Sequence, residues 1–295
     1  MYLKPNVIEF SELSNIVNKN VAKLIELFRL KLIYYKLITS KGLEFDRLRE
    51  YQPSDDAKQI DWNATARTMK PHIKIFKEER MLDIIFIVDV SNTMLLGTTE
   101  LIKNQFAAII TGIFAFATVK SGDRTGLLAF SDRIKYVIEP LMTEETVYAI
   151  MKILTTPKYY GGIRRWDVVP KSVLDNFGPD TVVFIISDFI GIEETFREDI
   201  SKMVNKFKRV IGIMIRDPRD SYLPKGVGKM YLANPNTGKV SLVDIEKIRE
   251  KYNKEAAREE RRIEDVFINS GALFFKVHTN ENVTDMFAKY FDANW

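Results

Sequence analysis

The sequence predicts a doubly wound, mainly parallel α/β domain over residues 81–295, preceded by a small α+β lobe over residues 1–80. Three apolar runs carry this reading: Ile84–Val88, Val182–Ile186 and Val210–Ile215. Each is almost free of polar residues, the mark of a strand buried on both faces of a parallel sheet. Each also runs out into an acid, at Asp89, at Asp188 after Ser187 and at Asp217 after Arg216. Helical patterns separate the runs, and right-handed crossovers would bring all three carboxyl ends to one edge, where open α/β sheets bind ligands.

The 295 residues are 46% hydrophobic, enough for a packed core in one large or two ordinary domains. Lysine and arginine total 44 against 40 aspartates and glutamates, and a net charge of +4 offers no argument for a nucleic-acid partner. With no cysteine there are no disulfides, thiolate zinc sites or thiol nucleophiles, and two histidines, His72 and His278, leave little for histidine-based catalysis. Lys23, Glu26, Arg29, Lys31 and Lys36 interrupt the apolar stretch Val21–Leu37, which is therefore no transmembrane segment. Without a signal-like amino terminus the expected location is cytoplasmic.

Taken in order, Val17, Val21, Leu24 and Phe28 recur at helical spacing, so a helix capped by Ser11 or Ser14 is expected within residues 1–40, packed on the rest of the protein. Residues 41–80 suggest two half-buried strands, around Leu43 and Phe45 and around Ile73, Ile75 and Phe76, with a turn and a short helix between them. The charges there, among them Arg49, Glu50, Asp55, Asp56, Asp61 and Arg67, are expected to form a paired network. Leu101–Phe116 is apolar nearly all round and predicts a buried helix beginning at Thr98 or Thr99. Strands follow at Thr125–Phe130 and Ile134–Ile138, and Thr143, with Glu144 and Glu145 in the first turn, opens another helix. A glycine-containing loop, Tyr159–Arg165, precedes a helix over Trp166–Asn176. Asn234–Gly238 marks a hairpin between Lys229–Leu232 and Lys239–Val243. A charged helix with Ile245, Ile248, Tyr252 and Ala256 along one face, a strand at Ala272–Val277 and a closing helix at Val283–Tyr290 complete the chain.

Asp89, Ser91 and Thr93 alternate beyond the first apolar run, so a bend there can present one carboxylate and two hydroxyls on one side. Such hard oxygens suit Mg²⁺ or Mn²⁺ rather than zinc. A local role is the alternative, with Asp89 capping and the two hydroxyls satisfying amides of the turn and the next helix.

Asp89-Val90-Ser91-Asn92-Thr93, after a hydrophobic strand and before a buried helix, resembles the Asp-x-Ser-x-Ser metal-ion-dependent adhesion site of von Willebrand factor A domains, and Asp188 is similar to that site's later aspartate. Gly42-Leu43-Glu44-Phe45, Leu48-Arg49-Glu50-Tyr51, Asp55-Asp56, Ile60-Asp61-Trp62 and Ala66-Arg67 resemble, in order and spacing, the signature of the domain of unknown function 58 family. The resemblance implies a metal site of Asp89, Ser91, Thr93 and Asp188 holding Mg or Mn, with an open coordination position for an acidic residue of a partner. It also implies a non-enzymatic adaptor or co-chaperone role beside a MoxR-type AAA+ ATPase and its client. The ATPase chemistry would be the partner's, since no Gly-x-x-x-x-Gly-Lys-Ser/Thr loop is present. One departure stands out: where a Gly-Gly-Thr loop would supply a further ligand, this chain has Gly161-Gly162-Ile163, followed by Arg164 and Arg165. A guanidinium near the site would repel a divalent ion or take its place as the positive charge.

Two rival classes remain. A haloacid-dehalogenase-like phosphotransferase would use Asp89 as nucleophile with Mg²⁺, but Ser91 stands where that motif needs a second acid. A metal-free interaction scaffold needs none of these ligands. A dinucleotide-binding fold is disfavoured because no Gly-x-Gly-x-x-Gly follows the first strand.

Overall fold

A computed structural model describes residues 8–26, 45–52, 55, 60–76 and 81–282. In chain order the elements are α1 (Phe10–Glu26), β1 (Phe45–Glu50), α2 (Trp62–Thr68), β2 (His72–Phe76), β3 (Asp83–Asp89), α3 (Lys103–Lys120), β4 (Arg124–Phe130), β5 (Ile134–Leu141), α4 (Glu144–Leu154) and α5 (Val168–Asn176). They continue with β6 (Thr181–Ser187), α6 (Phe196–Lys206), β7 (Arg209–Arg216), the hairpin of β8 (Lys229–Ala233) and β9 (Val240–Asp244), α7 (Ile245–Asn269) and β10 (Leu273–His278). The expected helix at Val283–Tyr290, and everything expected of residues 27–44, lie outside the described residues.

Six strands form the main sheet in the order β10-β7-β6-β3-β4-β5. All neighbours are parallel except β4 and β5, which pair antiparallel at one edge. The chain thus begins in the middle at β3, builds outward through β4 and β5, and returns to the other side of β3 to lay down β6, β7 and β10. That reversal puts the topological switch point between β3 and β6, the place where the loops leaving the carboxyl ends part and leave a crevice.

Each strand divides its side chains between two cores, as the two-residue period of a strand requires. Ile84, Phe86 and Val88 of β3 join Phe184 of β6 and Phe106, Ile110 and Phe114 of α3 on one face. Ile85 and Ile87 join Val183 and Ile185 with Trp166, Phe196 and Phe267 on the other. Gly212 of β7 is required by this packing, because a Cβ there would lie 2.6 Å from the Phe267 ring.

The amino-terminal helix belongs to the larger body: Leu13 and Val17 are fully buried in the α3-side core. It begins at Phe10, so Ser11 and Ser14 lie inside it and are not its cap. The antiparallel β1–β2 ribbon carries α2 between its strands, and Asp61 caps α2 by accepting the Asn63 and Ala64 amides. The paired network expected here includes Arg49 with Asp55 at 2.7 Å and Lys70 with Glu50 at 2.8 Å. Helix α3 starts at Lys103 rather than at Thr98 or Thr99, with the Ile102 amide donating to Gln105 Oε1. Both threonines are engaged elsewhere, as described below. Among the described residues no helix is long and apolar enough to cross a membrane.

Candidate functional site

Asp89 closes β3 and Asp188 follows β6, so the switch point brings the two predicted acids together. Neither side chain reaches solvent, and Arg164 joins them: its Nη1 lies 3.5 Å from Asp89 Oδ2 and 3.2 Å from Asp188 Oδ1. A second cation stands on the other side of Asp188. Lys103 Nζ, from the first turn of α3, lies 2.8 Å from Asp188 Oδ2 and 2.8 Å from Asp220 Oδ2. The result is a buried chain of alternating charge, Asp89, Arg164, Asp188, Lys103, Asp220, running across the carboxyl edge of the sheet.

Local hydrogen bonds explain why each member points inward. Asp89 Oδ1 accepts the Ser91 amide at 2.8 Å, and Oδ2 accepts the Ser187 hydroxyl at 2.6 Å. After Ser187 the backbone turns sharply through Phe189, whose φ of 51° lies in a region that side-chain-bearing residues seldom adopt. The turn is held by the Phe189 amide on Ser187 Oγ and the Ile190 amide on Asp188 Oδ1. The buried Phe189 ring packs against Phe196 and Phe267.

Arg164 is delivered by the glycine loop. The Gly161 amide donates to Val90 O at 2.8 Å, the Asn92 amide to Gly162 O at 3.0 Å, and the Gly162 amide returns to Asn92 Oδ1 at 3.1 Å. The Arg165 amide donates to Ser131 O at 2.8 Å, tying the other end of the loop to the end of β4. Gly162 has a φ of 93°, and a Cβ there would stand 2.5 Å from Asp132 Oδ1. Arg164 Nη2 donates to Ile190 O, which fixes the guanidinium against the turn after β6.

Burial alone would raise the Asp188 carboxyl, but the Lys103 ammonium and the Arg164 guanidinium outweigh it and hold Asp188 well below the usual carboxylate range. Asp89 goes the other way, because burial outweighs its share of Arg164. Lys103 is also buried, yet Asp188 and Asp220 keep its ammonium more firmly protonated than a free lysine.

The four predicted ligands are thus neighbours, but the donor set does not fit a divalent ion. All four carboxylate oxygens of Asp89 and Asp188 already accept hydrogen bonds or ion pairs. Ser91 Oγ and Thr93 Oγ1 are buried and face each other at 3.2 Å. An ion bound to Asp188 would sit within about 5 Å of Lys103 Nζ, a repulsion on the order of 7 kcal/mol at an effective dielectric of about 20. Ile163, with no ligand atom, points out of the loop and is 53% exposed. Two protein cations thus stand beside the carboxylates that the expected Mg or Mn centre would use.

Asp217, the third acid, does not join the pair. It caps the helical turn Pro218–Ser221 by accepting the Arg219 amide and clamps Thr98, whose hydroxyl donates to Asp217 Oδ1 at 2.7 Å. Thr99 Oγ1 is 2.7 Å from Thr279 Oγ1. Lys103 and Asp220 were not singled out from sequence. The available signal was a lone lysine at the head of an otherwise apolar helix, which resembles an ordinary solvent-reaching side chain.

The family model for the protein of unknown function DUF58 matches residues 47–262. The chain belongs to the DUF58 family. Curated proteins similar to this DUF58 chain include uncharacterized protein Rv1480 of Mycobacterium tuberculosis and uncharacterized protein Mb1516 of Mycobacterium bovis. Each is 27% identical over 251 residues, covering 83% of this chain and 78% of its own length. Solved structures similar to this DUF58 chain include an aerotolerance-related membrane protein from Bacteroides fragilis, at 14% identity and a TM-score of 0.46, over 72% of this chain and 96% of that one. The SpRpn10 VWA domain is similar at 12% identity and a TM-score of 0.41, over 71% and 95%. The strand order of the sheet defines the architecture independently of both.

Proposed function

We propose that this DUF58 chain is a non-enzymatic protein-binding module that docks a partner on the carboxyl edge of its sheet. One observation carries the reading. The loops tied together by Asn92 and Gly162 expose Leu96 and Ile163 to solvent, and the acids that follow β3 and β6 are already paired with Arg164 and Lys103. A surface of this kind is stiff, apolar at its tip and chemically quiet. Docking suits it, because exposed apolar residues on an ordered scaffold supply desolvation energy at low entropic cost. Catalysis does not suit it. Asp89, the one candidate nucleophile, is sealed from solvent, and both its oxygens are accepting hydrogen bonds from Ser91 and Ser187, which argues against the phosphotransferase alternative.

As partner we propose a MoxR-type AAA+ ATPase acting on a client, with this chain as the adaptor; the support is the family resemblance carried by residues 42–67 together with membership of DUF58. Copurification of the full chain from its own host, followed by mass spectrometry, tests the proposal. The expected result is retention of an AAA+ ATPase by the wild type and its loss in Leu96→Glu/Ile163→Glu, with unchanged thermal stability. Equal retention by both proteins would remove the docking surface from consideration.

A further inference from the structure

We infer that the Lys103 ammonium and the Arg164 guanidinium stand in for the divalent ion of an adhesion-type site, so that the edge is cross-linked by its own cations and works without metal. The geometry carries it. Lys103 Nζ bridges Asp188 and Asp220 at 2.8 Å each, as a bound cation would bridge two carboxylates, and the lysine is fully buried. Arg164 Nη1 bridges Asp188 and Asp89 in the same manner. Both cations are anchored by backbone: Lys103 by the first turn of α3, Arg164 by a loop latched to β3 and β4.

An exchangeable ion makes binding depend on ion concentration, whereas a covalently attached cation cannot be titrated away by a chelator. Besides Lys103 in α3, the network crosses four separate segments. Asp89 leaves β3, Arg164 sits in the glycine loop, Asp188 leaves β6, and Asp220 lies in the turn after β7, where it also accepts the Asp217 amide at 3.0 Å. An ion would hold the carboxylates alone, while here the internal cations join the segments that follow β3, β6 and β7 to the glycine loop and to α3. The inference deepens the docking reading at the same edge, but ion binding is measured on the chain alone, so either can fail without the other.

The test uses the full chain after treatment with EDTA, with bound Mn²⁺ counted by electron paramagnetic resonance and Tm followed with Mg²⁺, Mn²⁺ or EDTA. The wild type is expected to bind no Mn²⁺ and to keep its Tm within about 1 °C at millimolar ion. Lys103→Ala, which frees Asp188 Oδ2, leaves Asp220 Oδ2 with only the Asp217 amide and opens room for a hydrated ion, is expected to have a lower Tm that Mn²⁺ raises by about 3 °C or more. If Lys103→Ala does not fold, Arg164→Gln is measured under the same criterion. Saturable Mn²⁺ binding by the wild type, lost in Asp188→Asn, would overturn metal independence. A folded variant that stays indifferent to Mn²⁺ would overturn the substitution of cation for ion.

Discussion

Lys103 and Asp188 meet at 2.8 Å with neither side chain reaching solvent, a salt bridge 85 residues apart in sequence and completely enclosed. Enclosure decides its energetics. Coulombic attraction here offsets two desolvation penalties, so the pair adds little net stability, but removing one partner abandons a charge in a place that cannot hydrate it.

Lys103→Met should therefore cost about 3–5 kcal/mol in urea denaturation, far more than loss of the exposed pair of Lys120 and Glu144, which is worth about 0–1 kcal/mol. Comparable losses for Lys103→Met and Lys120→Met would show that Lys103 is not confined as described.

Acid should act on the two buried acids in opposite senses. Lys103 and Arg164 hold the folded-state pKa of Asp188 below the ordinary aspartate value of 3.8, so its contribution is complete above that value and is lost as pH falls through the folded pKa. Asp89 is raised above 3.8, so its contribution is complete below that value and is lost as pH rises through the folded pKa. Denaturation curves between about pH 2 and 7 should show Asp188→Asn flattening the acid loss and Asp89→Asn removing the loss on the alkaline side of 3.8. Identical profiles for the two variants would contradict the assignment.

Gly162→Ala places a Cβ 2.5 Å from Asp132 Oδ1 at a φ of 93°, straining the loop that carries Arg164. A loss of about 1–3 kcal/mol is expected, accompanied by faster hydrogen exchange at the Arg165 amide. Gly212→Ala, against the Phe267 ring, should cost a similar amount by overpacking while leaving exchange at Arg165 unchanged.

Asp217→Ala removes a cap and the clamp on Thr98 together, with an expected loss of about 1–2 kcal/mol. Asp217→Asn, which can still accept from the Arg219 amide, should recover part of it; a variant as weak as alanine would assign the effect to charge alone.

The meeting of Asp89 and Asp188 was legible because it follows from strand order: two apolar runs ending in acids, with β4 and β5 inserted between them, become neighbours once the chain reverses at β3. The cations beside them were legible only in part. Arg164 announces itself by sitting two residues after a pair of glycines, but Lys103 owes its role to Asp220, 117 residues away, and no periodicity encodes that distance. The role of Asp217 was hidden for the same reason. Its partner, Thr98, lies 119 residues earlier and was read as the start of a helix, because the apolar pattern of α3 does not mark where the preceding loop ends.

The division of every central strand between two unlike cores makes the sheet intolerant of a change in phase. Deleting a single residue within β3 would carry Phe86 from the pocket it shares with Phe184 to the layer of Trp166 and Phe267, and would swing the carboxylate at the strand's tip away from Ser187. Hydrophobicity would survive such a deletion almost untouched, whereas handedness of the facing layers would not.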